Sequence, residues 1–232
     1  MTDLVTIHEV ARRLPPIEAL RDLCQVLAAL DIVQYPASHG YRDQNFEREW
    51  RPGAAAASMR TGSGDGYLVA FTVDGAIILG FDHESEMSPY SFEPLRSWPG
   101  VLENVPAEFA RFISEPPDFM DDDVPLVTAC TWRAADGDRW RTGADIVFPD
   151  CGHNEPDGAG WLFALLIDPR PEAYVRDRQA YGRNLPVEAV RHMYELKPLT
   201  HEIARSLNPE APFEDTLAEL EQIGYPIDRT SR

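Results

Sequence analysis

The tripeptide Asp82-His83-Glu84 is the densest set of chemistry-bearing side chains in this sequence. Two carboxylates flanking an imidazole are the groups from which a general acid–base pair or a divalent-metal site is assembled. In an extended chain successive side chains alternate, so Asp82 and Glu84 point to one side and His83 to the other. A site here therefore needs partners, and Asp65, Glu86, His39 and His153 are the candidates. The competing reading is a polar strand end whose carboxylates accept backbone amide hydrogen bonds. Asp65, Asp82, His83 and Glu84 are taken as candidate binding residues. No catalytic residue is assigned, and no metal or cofactor is expected.

Other stretches carry weaker signals. The run Gly62-Ser63-Gly64-Asp65-Gly66 precedes an apolar segment. Phosphate-cradling loops instead follow a strand and open a helix, and no Lys-Ser or Lys-Thr follows this one, so a flexible loop or β-bulge entry is the better reading. Around Cys151, His153 and Asp157, Cys and His stand two apart. A catalytic thiol ordinarily meets its base across a fold, which favours an acidic loop. His192 and His201 lack the spacing of a metal-binding helix, and Ser63 lacks the strand–nucleophile–helix context of a serine hydrolase.

The element that must position Asp65 and Asp82 is a pair of apolar runs, 67–73 and 76–81, separated by Asp74-Gly75. Asp-Gly tolerates the positive φ of a type I′ turn, so the pair reads as a β-hairpin. Strands apolar at nearly every position lie inside a sheet, covered on both faces. A second pair is expected over 126–134 and 139–148, with Trp132-Arg133 and Trp140-Arg141 placed for guanidinium–indole stacking. Residues 45–50 read as a further strand. Residues 54–59 are helix or strand, with propensity favouring helix. A short helix is expected over 6–13, with Thr6 and Glu9 at capping-box spacing, and an amphipathic helix over 17–30, with Cys24 on its buried stripe. Further helices are expected over 106–113, 160–167, 171–181, 186–196, 198–207 and 213–223, the last stopped by Gly224. Strands cluster in the middle rather than alternating with helices. The expected class is α+β: a central, mostly antiparallel sheet of four to six strands, with an N-terminal helix and a C-terminal helical segment packed on it. One domain over 1–232 is expected, its sheet at about 44–150 and its helical tail at about 157–225.

Composition bounds the function. The chain has 232 residues, 44% of them apolar, and a formal charge of −18. Such acidity disfavours nucleic acid and anionic membranes, and suits a basic protein partner. Three cysteines without CxxC spacing form neither a disulfide framework nor a zinc site and point to a reducing, cytoplasmic setting. No signal peptide or membrane-spanning run is visible.

The stretches 58–65 and 80–85, with Trp132, Trp161-Leu162 and Ile223-Gly224-Tyr225-Pro226, are similar to uncharacterised bacterial proteins. The acidic composition and the sheet hairpin after a Gly-Asp turn also resemble the SUKH immunity proteins. That resemblance implies binding of a toxin domain rather than catalysis. The alternative expectation is a metal- or carboxylate-dependent enzyme working at the hairpin end.

Overall fold

The computed structural model describes residues 5–36, 41–114, 119–150 and 155–228. Two helices, α1 (Ile7–Arg13) and α2 (Ile17–Gln34), lead into a meander of four strands: β1 (Gln44–Arg51), β2 (Ala54–Arg60), β3 (Gly66–Thr72) and β4 (Gly75–Phe81). An irregular stretch with a short helix, α3 (Ala110–Ser114), and a small ribbon of β5 (Met120–Asp121) and β6 (Val124–Pro125) follows. Strands β7 (Ala129–Ala134) and β8 (Arg141–Thr142) complete the main sheet. Its six strands run in the order β1-β2-β3-β4-β7-β8, every neighbour antiparallel. Six helices close the chain: α4 (Ala159–Leu162), α5 (Ala164–Ile167), α6 (Pro171–Ala180), α7 (Val187–Tyr194), α8 (His201–Leu207) and α9 (Phe213–Ile223). The architecture is α+β, as the clustering of strand signals implied.

The two apolar arms are the central strands. Every residue of β4 is buried, and all of β3 except Thr72. On one face, Tyr67 of β3 packs its ring 5.8 Å from Phe163, between α4 and α5. The opposite face meets the irregular 82–125 stretch: Phe81 contacts Tyr90, and Trp50 stacks on Phe112. Helix α2 lies against β1, and α7, α8 and α9 each touch α2, while α9 also reaches β1.

Three local expectations are corrected, and the choice between helix and strand at 54–59 is decided. The β3–β4 turn is not type I′. Thr72 pairs with Gly75, which leaves Val73 and Asp74 as the central residues, and neither has positive φ. The positive φ, 137°, falls on Gly75 as it enters the strand. Type I′ chemistry appears instead at Asp122-Asp123, with φ values of 44° and 62°. Residues 54–60 form a strand despite the helix propensity of four alanines, because β1 and β3 pair with them on both sides. Strand β8 is two residues long rather than ten. Its register sets Trp132 opposite Arg141, but the guanidinium–ring stackings lie elsewhere, as in Arg51 over Trp50.

The Thr6 side chain makes no capping bond. A distant carboxylate does that work: Asp157, fully buried, accepts from the Ile7 amide at 2.7 Å and from the Ala159 amide at 3.1 Å, so it caps α1 and α4 together. Cys24 and Cys130 are buried free thiols. No helix of the described residues is long and apolar enough to cross a membrane.

Candidate functional site

Antiparallel pairing delivers the first two candidate residues. Gly66 opens β3 opposite Phe81, the last residue of β4, so Asp65 and Asp82 emerge side by side at one sheet edge. The chain then stops being extended. The Asp82 carboxylate (Oδ1) accepts from the Glu84 amide at 3.0 Å, and the Ser85 amide donates to the Asp82 carbonyl at 3.2 Å. This turn cancels the strand alternation expected for residues 82–84. His83 swings back onto Asp65, while Glu84 points to solvent, outside the cluster. Glu86 is also exposed, and His39 and His153 lie outside the described residues.

Asp65 is the hub. Its Oδ1 accepts from the His83 amide at 2.8 Å and lies 2.5 Å from His83 Nδ1. Its Oδ2 accepts from the Ser63 hydroxyl at 2.9 Å and from the Thr61 hydroxyl at 3.3 Å. Burial pushes the Asp65 carboxyl up, but the His83 amide, the imidazole and Ser63 together outweigh it and hold it below its ordinary range. The bond to Asp65 raises the His83 pKa. The imidazole remains 40% exposed. Asp82 is anchored from the opposite side by the Trp161 indole, whose Nε1 donates to Oδ2 at 2.9 Å. Gly158, at φ 70°, lets the chain pass over this carboxylate. A Cβ there would stand 2.4 Å from Asp82 Oδ2.

Asp65, Asp82 and His83 bring ligand atoms within 4.8 Å of one another, a spacing that a cation could bridge. Yet each carboxylate oxygen already accepts a protein hydrogen bond. What the arrangement does chemically is tie the β2–β3 loop, the end of β4 and α4 to one another. Replacing Asp65 with alanine leaves the part-buried His83 amide without its acceptor and frees the loop, at a cost of about 1–3 kcal/mol. Urea titration and faster amide exchange at His83 check this. Unchanged stability and exchange would show that the carboxylate is not structural.

Trp161 is the site residue that sequence reasoning missed. Its only sequence signal is an aromatic residue opening an apolar run, which reads equally well as core. Trp161 and Thr61 also line a cleft of about 500 Å³ between this sheet edge and α5–α6, with Tyr41, Tyr67, Arg178 and Tyr181. The charges there are internally matched: Arg42 pairs with Glu219, and Arg178 with Asp43 and Asp177.

No family model, curated protein or solved structure matches this chain.

Proposed function

We propose that this protein works by binding a basic protein partner through the acidic segment 82–125, without catalysis. The carrying observation is how the charge is distributed. Eleven carboxylate residues and only two arginines fall in this segment, so it holds half of the chain's net charge of −18. Glu84, Glu86, Glu93, Glu103, Glu108 and Asp121, Asp122 and Asp123 are all exposed. A groove of about 430 Å³ crosses the segment, lined by Tyr90, Phe92, Glu93, Asp121 and Asp122. Ring faces beside carboxylates suit a lysine or arginine side chain. The protein fills part of this role itself, with the Arg96 guanidinium 4.3 Å over the Phe92 ring. The SUKH resemblance implies the same mode of action.

The test separates local from global charge. A library of peptides of graded charge is selected against the protein at physiological salt, where long-range attraction is screened. Basic peptides are expected to be enriched. The affinity of a selected peptide is expected to fall at least tenfold, about 1.4 kcal/mol, on Asp121→Asn/Asp122→Asn/Asp123→Asn. Asparagine accepts the positive φ of positions 122 and 123, so the ribbon is retained. The change Glu202→Gln/Glu214→Gln/Asp215→Asn removes equal charge from α8 and α9 and is expected to cost less than twofold. Enrichment of neutral peptides, or equal losses in the two variants, would refute the reading.

A second reading rests on Asp65 and His83. A buried carboxylate holding one imidazole nitrogen while the ring stays exposed is how a general base is oriented. Against it, the Ser63 hydroxyl donates to Asp65 rather than facing the imidazole as a nucleophile would.

A further inference from the structure

On another part of the molecule the charge reverses. A groove of about 620 Å³ lies between α1 and the turn joining β7 to β8, and Arg12, Arg133, Arg139, Arg141, His8 and Asp138 line it. Four arginines with one aspartate is an unusual lining in a chain of 39 acidic and 21 basic residues. Carboxylates are numerous enough to neutralise every arginine, and Arg42, Arg170, Arg178 and Arg191 each reach one. Arg133 and Arg139 make no ion pair among the described residues. Arg141 reaches Asp138 only at 4.0 Å, with both side chains well exposed. Arg12 is held by Glu9 on its own helix.

The walls are tied together. His8 Nδ1 lies 2.8 Å from the Thr142 hydroxyl, bridging α1 to β8. The Trp140 indole donates to the Pro15 carbonyl at 2.7 Å. The Arg133 Nε donates to the Gly137 carbonyl at 3.0 Å and holds the turn in shape. The Arg133 guanidinium, fixed before a ligand arrives, loses little freedom on binding, and the planar forks of Arg133 and Arg139 match oxyanions bidentately.

We propose that this groove binds a small multivalent oxyanion of the phosphate-ester class, with Arg133 and Arg139 as its principal ligands. The site is distinct from the acidic segment and does not depend on the basic-partner reading. The cationic lining must overcome the repulsion of a strongly acidic chain, so binding is expected to be local and saturable rather than a diffuse ion atmosphere.

Pyrophosphate titrated into the full chain at constant ionic strength, followed by calorimetry and by His8 side-chain NMR, tests the proposal. One saturable site is expected. It should weaken at least tenfold in Arg139→Ala, a substitution at an exposed side chain with no bond to lose among the described residues. It should change less than twofold in Arg205→Ala, which removes equal charge from α8. An anion seated beside His8 favours the imidazolium, so the His8 pKa should rise on binding, opposing the burial and the Arg12 charge that lower it in the free protein. Absence of saturable binding, equal weakening in the two variants, or an unmoved His8 titration would overturn the proposal. So would a groove that responds only to protein concentration, with self-association lost in Arg139→Ala, because the anion would then be a second copy's acidic segment.

Discussion

Gly75→Ala is expected to destabilise the protein by about 3–5 kcal/mol, combining backbone strain with overpacking. Gly75 sits at φ 137°, where an L side chain is strained regardless of space. Space is also lacking: an added Cβ would stand 2.1 Å from the Arg133 carbonyl oxygen and 2.9 Å from the Ala134 Cα. Both obstacles are backbone of β7, and β4 is held between β3 and β7, so neither can yield without breaking a central ladder. Gly62→Ala is the control. It lies in the β2–β3 loop with no atom within 4 Å of its added Cβ, and a change within about 0.5 kcal/mol is expected. Urea unfolding of the two variants beside the parent decides the matter, and equal midpoints would mean that β4 does not enter the sheet as described.

Stability is expected to rise, not fall, on mild acidification. Asp31 and Asp157 are both fully buried. Burial pushes each carboxyl up to about 6 from 3.8. Opposing influences do not prevail: hydrogen bonds from the Gln44 amide and Tyr174 and the nearby Arg178 charge at Asp31, and hydrogen bonds from the Ile7 and Ala159 amides at Asp157. The folded state therefore binds these two protons more tightly than the unfolded chain does. The linkage relation then makes stability increase as pH falls through 6 towards 4. The rise corresponds to about 3 kcal/mol for each carboxyl. Falling self-repulsion in a chain of charge −18 acts in the same direction. Below pH 4 the trend reverses, because Asp65, Asp168, Glu172 and Glu195 have lowered pKa values and lose their favourable ionisation there. Thermal melts between pH 4 and 7.5 test this, with Asp157→Asn expected to remove about half of the slope. A flat profile, or a variant as steep as the parent, would show that folding does not raise the pKa of these carboxyls.

Sequence patterning alone determined the class of the fold and most of its helices, because apolar periodicity and Pro or Gly punctuation are local properties. It also determined that Asp65 and Asp82 would meet, since two arms of similar length either side of Asp74-Gly75 bring their far ends together. Tertiary structure decided the rest. Four alanines became β2 because two neighbouring strands needed a partner, an energy absent from any local propensity. Thr6 lost its capping role at α1 to Asp157, whose place in the sequence marks it as a cap only for the helix that follows it. His83 joined Asp65 while Glu84 was turned away, because a carboxylate-stabilised turn replaced the extended chain that the tripeptide suggests. Trp161 reached Asp82, and Arg133 and Arg139 came to face α1, only once the sheet and helices had packed. Contacts between residues far apart in the chain depend on the whole arrangement of elements, and no spacing along the sequence encodes them.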